Sequence, residues 1–459
     1  MNKKYFQIHN INLLVVLGIL GAIIAISGVA LLIPAGVALI YQESIWQSFI
    51  ISSLLSIGFG GLLFYFFKPE KELQIREAFL LVSLTWLTLS LVGALPFVLS
   101  GVLPSYTDAV FETMSGFSTT GATILGGTTS DGFMNPQIEE LPKSLLLWRS
   151  LAHWMGGMGI IVLSLAILPL LGIGGMQLFQ AESPGPSADK LTPRVQETAK
   201  LLWVVYVIFT AAEFLLLWAH PLMDWFEALN HAFATLATGG FSTQNGSIAD
   251  FNSVYIDTVI TIFMFLAGVN FALHFRLFKG EAGNFFKNRE LRFYSLICFL
   301  GILLITGGLW LQSEFSFGEA LRYGSFQAIA IITTTGFGTS DYELWPTFAT
   351  FILFLFFFTG GSAGSTGGGV KMVRWLILIK NSFREIKQIV HPRAILPIRI
   401  GNKTVDSDIQ RAVLSFFLIY LFLFASGGIL LSLFGFDLLS SLGASISCLG
   451  NIGPAWGEF

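Results

Sequence analysis

Charged residues are scarce in this sequence, and their scarcity excludes an ordinary soluble protein. Asp, Glu, Lys and Arg make up 12% of the 459 residues, whereas 54% are hydrophobic. Soluble domains carry about 25% charged residues. Uninterrupted apolar runs of about 20 residues recur, which is the length of a membrane-spanning helix and not the alternating pattern of a β-barrel strand. The sequence therefore predicts an all-α polytopic membrane protein.

Cysteine is nearly absent, and familiar signals of processing and cofactor binding are missing too. Cys298 and Cys448 stand far apart in apolar runs without a C-x-x-C motif, which excludes a disulfide framework and a structural metal site. The first apolar run, from Ile11 to Tyr41, is too long for a cleaved signal peptide and has no A-x-A site, so we interpret it as a retained signal anchor. No G-x-G-x-x-G motif follows a strand pattern, so no organic cofactor is expected.

Short polar stretches interrupt the apolar pattern at four places. Long apolar spans lie near 11–40, 46–67, 78–100, 150–178, 201–220, 256–277, 293–312, 347–380 and 412–435. Between certain spans, a shorter stretch begins with a carboxylate and leads to a glycine. The carboxylates are Asp108, Asp224, Glu319 and Asp437, and the glycines are Gly121, Gly239, Gly336 and Gly453. This repetition predicts four modules of helix, re-entrant pore helix and helix around a pseudo-fourfold pore, with two extra N-terminal helices.

The distribution of positive charge favours re-entrant stretches. If the N-terminus is cytoplasmic and each short stretch enters and leaves on the outer side, every Lys and Arg except Lys143, Arg149 and Arg322 lies on the cytoplasmic side. Cytoplasmic loops of membrane proteins carry such an excess of Lys and Arg. Four additional complete spans would scatter these charges over both sides. Arg149, which stands beside Trp148 and Trp154, is expected to anchor a helix at the outer interface.

The polar end of each stretch is suited to an ion path. A helix that stops inside the membrane directs its negative C-terminal dipole toward the segment after it, and Thr/Gly carbonyls and hydroxyls in that segment can replace a cation's hydration shell. The candidate filter residues are Thr119, Thr120, Gly121, Ala237, Thr238, Gly239, Thr334, Thr335, Gly336, Asn451, Ile452 and Gly453. Two alternatives stay open for individual residues. Gly, Ser and Thr also serve helix packing in membranes, and an acid also stabilises a helix N-terminus.

Several motifs resemble the Trk/Ktr/HKT superfamily of potassium transporters, most closely its bacterial TrkH-type members. They are FETMSGFSTTGAT (111–123), WRSLAHWMGGMGII (148–161), ATLATGGFST (234–243), TTTGFGTSD (333–341), TGGSAGSTGGGVK (359–371) and GNIGP (450–454). The resemblance covers nearly the whole chain. It implies a filter lined by one glycine from each module, with potassium as the substrate taken up across the bacterial inner membrane. Sodium-preferring plant relatives have serine at the position of Gly121, so this glycine implies potassium.

The resemblance also implies partners and module boundaries. The partners are a second copy of the chain in a homodimer and a cytoplasmic nucleotide-binding ring of the TrkA type. The basic stretch from Lys371 to Arg411 is a candidate face for that ring, or ordinary cytoplasmic positive charge. The expected divisions are the two-helix addition in 1–70 and modules in 71–190, 191–290, 291–400 and 401–459. The fourth module lacks its final helix, so a truncated or incomplete chain is expected. A sodium-coupled or sodium-permeable cation symporter of the same fold is the alternative function.

The glycine-rich block inside the 347–380 span is the candidate gate. It lacks the G-K-[ST] ending and the preceding strand of a P-loop. Its glycines disfavour continuous helix, and the resemblance agrees with a flexible loop below the filter. The candidate gate residues are Gly360, Gly361, Ser362, Gly364, Ser365, Thr366, Gly367, Gly368, Gly369 and Lys371. A remote alternative is an intramembrane hydrolase that pairs Ser362 or Ser365 with His153, His231 or His274. No G-x-S-x-G elbow is present, so the protein is not expected to be an enzyme.

Overall fold

The computed structural model describes residues 7–8, 11–67, 75–127, 134–167, 191–401 and 403–457. Within these ranges the regular structure is helical apart from two short antiparallel hairpins. The first pairs β1 (Gln7–Ile8) with β2 (Ile11–Asn12), and the second pairs β3 (Arg399–Ile400) with β4 (Lys403–Thr404). The predicted all-α class is confirmed.

The described chain divides into two compact units. The first contains residues up to 118, 122–156 and 243–245, and the second contains 119–121, 157–242 and the residues from 246 onward. The helices of the first unit are α1 (Leu13–Ala30), α2 (Leu32–Ile40), α3 (Trp46–Phe66), α4 (Ile75–Gly93), α5 (Leu95–Leu99), α6 (Tyr106–Ser118) and the first part of α7 (Lys143–Ile167). The continuation of the predicted 150–178 span beyond 167 lies outside the described residues.

Small residues bring α1 and α3 into close contact. A Cβ atom on Gly21 would lie closer than 3.0 Å to the backbone of Gly60, and the reverse also holds. Small residues permit this close packing between membrane helices. The first predicted span is present as one candidate membrane span, Leu13–Ile40, with a local irregularity at Leu31 between α1 and α2. Pro34 explains this irregularity, since proline has no N–H to donate to the carbonyl four residues earlier.

The second unit contains the remaining helices. They are α8 (Leu191–Trp218), α9 (Trp225–Leu236), α10 (Val254–Ala267), α11 (Phe271–Phe278), α12 (Ala282–Lys287), α13 (Arg289–Gln312), α14 (Phe317–Ile332), α15 (Thr347–Phe356), α16 (Met372–Val390), α17 (Ser407–Leu433) and α18 (Leu438–Gly450). Their core includes Trp456, whose ring centroid lies 4.2 Å from that of Phe357. The Tyr342 hydroxyl donates to the Ala455 carbonyl at 2.6 Å, which fixes the segment after α18.

Length and exposure identify a multi-pass membrane protein. Six helices in the described ranges are long and apolar enough to cross a membrane. Leu54, Leu311 and Phe422 on three of them are 65%, 75% and 69% exposed, and apolar surface of this kind suits lipid.

Two predicted spans are interrupted. The 256–277 span is a bent pair, because α10 and α11 meet at 99°. The break lies at Gly268, and Asn270 caps α11 by accepting from the Ala272 N–H at 2.8 Å. The 347–380 span is divided as predicted, since α15 ends at Phe356 and α16 begins at Met372.

Candidate ion filter and gate

Four short helices precede the four candidate filter segments. Helices α6, α9, α14 and α18 contain 13, 12, 16 and 13 residues, fewer than the roughly 20 needed to cross a bilayer. The last residues of these helices are Ser118, Leu236, Ile332 and Gly450. Helices α6, α9 and α18 end at the residue directly before a candidate filter segment, and one residue separates the end of α14 from its filter segment. The short helices therefore lie where the sequence predicts them.

Three of the four acidic residues at the starts of these helices take part in capping the helix N-terminus. Asp224 accepts from the Glu227 N–H at 2.7 Å, and Asp437 accepts from the Ser440 N–H at 3.0 Å. Glu319 forms a capping box with Ser316. Hydrogen bonds from Ser316 lower the pKa of Glu319, and hydrogen bonds from Ser440 lower the pKa of Asp437. Both carboxylates are therefore ionised at neutral pH, and their negative charge stabilises the positive N-terminal end of the helix.

The backbone after each short helix adopts one repeated pattern. A residue other than glycine takes a left-handed conformation, and two positions later a glycine does so as well. The first residues are Thr119, Thr238, Thr334 and Asn451, with φ of 60°, 52°, 61° and 59°. The glycines are Gly121, Gly240, Gly336 and Gly453, with φ of 84°, 83°, 80° and 103°. Left-handed backbone is costly for side chains with a Cβ atom and available to glycine.

This pattern corrects the predicted register of the second segment by one residue. The sequence prediction aligns Gly239 with Gly336, but the left-handed glycine is Gly240. Two consecutive glycines are available in this segment, and glycine content alone does not distinguish them. The Gly-Phe pair offers a better signal, since Gly240-Phe241 matches Gly336-Phe337 in the sequence.

Three of the glycines face carbonyl oxygens of another segment at very short range. A Cβ atom on Gly121 would lie closer than 3.0 Å to the Gly239 oxygen, and one on Gly240 equally close to the Thr335 oxygen. On Gly336 it would meet the Ile452 oxygen. In each case the carbonyl belongs to the following segment, to the residue directly before that segment's left-handed glycine. The segments thus contact one another in a consistent order, and only glycine fits at these positions.

Asn451 joins the fourth segment to the first. Its Nδ2 donates to the Thr119 carbonyl at 3.1 Å, and its Oδ1 accepts from the Thr120 hydroxyl. Asn451 stands where the other segments have threonine. In the sequence it is only a departure from the motif, whereas in the structure its amide side chain supplies a connection that the backbone pattern does not predict.

The glycine-rich loop, residues 360–371, lies against the C-terminal ends of α9, α14 and α18. The Gly368 N–H donates to the Thr334 hydroxyl at 2.5 Å, and the Thr366 hydroxyl donates to the Leu236 carbonyl at 3.0 Å. A Cβ atom on Gly368 would lie closer than 3.0 Å to Asn451. The Lys371 ammonium donates back to the Gly367 carbonyl. Filter and loop residues therefore share one buried cluster.

Arg149 is not an interfacial anchor. It is 3% exposed, and its Nε lies 2.8 Å from Oε1 of Glu112 on α6. Glu112 also accepts from the Ile124 N–H at 3.2 Å. The neighbouring tryptophans suggest the membrane interface, but Trp148 is buried and donates to the Gly93 carbonyl at 2.9 Å. A buried carboxylate requires a partner, and Arg149 supplies it.

The three histidines considered for hydrolysis contact backbone carbonyls. His153 Nδ1, His231 Nδ1 and His274 Nε2 lie 2.7, 2.8 and 2.9 Å from carbonyl oxygens. The described ranges contain no group of three or more His, Cys, Asp or Glu residues arranged to hold a metal ion. One ring nitrogen of each histidine is therefore taken up by a backbone contact.

Comparison with known proteins matches nearly the whole chain. A family model described as "TrkH: Cation transport protein" matches residues 45–459. The Trk system potassium uptake protein TrkH of Halomonas elongata is 39% identical over 453 residues, covering 97% of this chain and 91% of that protein. Its namesake from Escherichia coli K12 is 40% identical over 444 residues, covering 96% and 90%. The crystal structure of the potassium transporter TrkH from Vibrio parahaemolyticus aligns with a TM-score of 0.88 at 36% identity, covering 98% of this chain and 92% of that one.

Proposed function

This chain belongs to the TrkH family of cation transport proteins, a family of transporters and not of enzymes, and we propose that it carries potassium ions across the cytoplasmic membrane. The observation that carries the proposal is the fourfold repeat of left-handed backbone, with glycines that face carbonyl oxygens of another segment. The names of the relatives support potassium as the ion.

The proposed filter is formed by backbone carbonyls around the left-handed glycines. Its glycines are Gly121, Gly240, Gly336 and Gly453. Each follows a short helix whose C-terminal dipole favours a cation, and rings of carbonyl oxygens can replace the hydration shell of potassium. At Gly121, Gly240 and Gly336, glycine is required because a Cβ atom would displace the carbonyl of the adjacent segment. Gly453 shares their left-handed backbone.

The proposed gate is the glycine-rich loop from Gly360 to Lys371. Its support is the hydrogen bond from the Gly368 N–H to Thr334 and the packing of Gly368 against Asn451, both at the inner ends of filter segments. Non-helical backbone at membrane depth is tolerated where it is covered by protein or lines a watery cavity. A displaced loop would leave the path below the filter open.

Orientation and assembly complete the proposal. We place the N-terminus in the cytoplasm, because this orientation leaves nearly all Lys and Arg on the cytoplasmic side. The four modules are proposed to occupy 71–190, 191–290, 291–400 and 401–459. A homodimer and a cytoplasmic TrkA-type ring are the proposed partners, and the relatives' description as parts of a Trk system supports the presence of further components.

Two neighbouring glycines provide a matched test. Gly336 has φ of 80° and no room for a Cβ atom, whereas a Cβ atom on Gly338 would meet nothing within 4 Å. In a bacterial host without its own potassium uptake, Gly338→Ala should support growth at low potassium and Gly336→Ala should not, at equal amounts in the membrane. Growth with both variants would contradict the filter assignment.

A further inference from the structure

A buried carboxylate connects the two ends of the glycine-rich loop. Glu290 lies in the first turn of α13 and is 5% exposed. Its Oε1 accepts from the Ala363 N–H at 2.7 Å and from the Val373 N–H at 3.2 Å. Ala363 precedes most of the loop glycines, and Val373 follows the loop in the first turn of α16. One oxygen atom therefore contacts both the early part of the proposed gate and the second residue after its end.

Stabilisation of the N-terminus of α13 is not sufficient to explain this geometry. Asn288 already caps that helix, because its side chain accepts from the Leu291 N–H at 2.9 Å. Glu290 instead directs an oxygen to backbone N–H groups of another segment. Hydrogen bonds to an ionised acceptor are roughly twice as strong as neutral ones. The carboxylate consequently acts on the loop.

Two backbone bonds hold the beginning of the loop to another segment. The Ser362 N–H donates to the Gly268 carbonyl at 2.8 Å, and the Gly364 carbonyl accepts from the Phe271 N–H at 3.0 Å. Both partners belong to the break between α10 and α11. These bonds fix the beginning of the loop, while Glu290 also reaches the second residue after its end.

We propose that Glu290 is a positioning residue that latches both ends of the gating loop and so holds it against the inner side of the filter. The inference rests on the proposed function, since it assigns a latch to the proposed gate. Removal of the carboxylate frees the Ala363 and Val373 N–H groups together. The loop then leaves Thr334 and Asn451 more often, and more ions pass.

Flux through purified protein tests the latch. Rubidium, as a potassium substitute, is measured entering liposomes that contain the full chain without a cytoplasmic partner. Glu290→Ala should raise the flux by about tenfold, the effect of losing about 1.4 kcal/mol of restraint. Glu290→Gln keeps an acceptor oxygen without the charge and should give an intermediate increase. Glu314→Ala, an exposed carboxylate outside the loop, is the matched control and should leave the flux unchanged.

Hydrogen–deuterium exchange separates a latch from a general loss of structure. Glu290→Ala should raise exchange in residues 360–373 and leave α13 protected. If Glu290→Ala lowers the melting temperature so far that flux cannot be measured, Glu290→Gln carries the test by the same two measurements. Unchanged flux and unchanged loop exchange in the folded variant would overturn the latch.

A loop deletion distinguishes failure of the latch from failure of the gate. Removal of residues 362–366 should raise the flux if the loop is a gate. A flux increase with this deletion but not with Glu290→Ala refutes the latch and leaves the gate in place. No increase with either change refutes the gate itself.

Discussion

Gly240 and Gly239 offer a sharp test of the filter geometry, because they are neighbours with different backbone conformations. Gly240 has φ of 83°, whereas Gly239 is not among the residues with positive φ. Alanine in left-handed backbone costs about 1–2 kcal/mol. At Gly240 its Cβ atom would also lie closer than 3.0 Å to the Thr335 oxygen, a backbone atom that cannot rotate away. That oxygen is one of the proposed potassium ligands.

The expected loss can be derived from these costs. A change of about 1.4 kcal/mol alters an equilibrium tenfold, so Gly240→Ala should reduce potassium uptake by roughly tenfold or more. Gly239→Ala introduces no left-handed strain and should therefore reduce potassium uptake less than Gly240→Ala does. Uptake is measured in cells that lack other potassium transporters, with membrane levels matched by immunoblot. Strong loss with Gly239→Ala and tolerance of Gly240→Ala would show that the register is wrong.

Three further predictions concern other parts of the molecule. Asn451→Gly keeps the left-handed backbone accessible but deletes the side-chain hydrogen bonds to the first segment. It should therefore lower the ratio of potassium to sodium uptake. An unchanged ratio would contradict the role of this side chain. Arg149→Ala leaves Glu112 buried without its cation and should destabilise the protein by about 3–5 kcal/mol, seen as a lower melting temperature in detergent that Glu112→Gln partly restores. In a background without native cysteines, Glu314→Cys should react with an impermeant thiol reagent added outside intact cells, whereas Ser382→Cys should not. The reverse result would invert the proposed orientation.

The fold class and the positions of the short helices could be predicted from sequence because both depend on local signals. Apolar runs of membrane length and a glycine-containing segment after each shorter helix need no knowledge of tertiary contacts. The capping acids were also predictable, since Asp224 and Asp437 contact N–H groups two or three residues away. The break in the 256–277 span was not predicted, because Gly268 and Asn270 resemble ordinary membrane-helix residues until their partners are known.

The remaining features depend on long-range contacts. Glu112 and Arg149 are 37 positions apart, and Asn451 and Thr119 are 332 apart. No periodicity joins such pairs. The register at Gly239 and Gly240 could not be decided by glycine content, since φ is set by the segment's path past Thr335. Glu290 carries no motif, and only its distances to Ala363 and Val373 distinguish it from an acid at a helix start.

Selective ion movement through the purified protein is the decisive test of a potassium filter formed by the left-handed glycines. The full chain in liposomes is exposed to equal gradients of potassium and of sodium, and the initial rates are compared for the parent chain and for Gly336→Ser. We expect potassium to move at least about tenfold faster than sodium, equivalent to about 1.4 kcal/mol of discrimination. Gly336→Ser should lose this preference or the flux altogether. Equal rates for both ions in the parent chain, or an unaltered preference in Gly336→Ser, would contradict a potassium filter formed by these glycines.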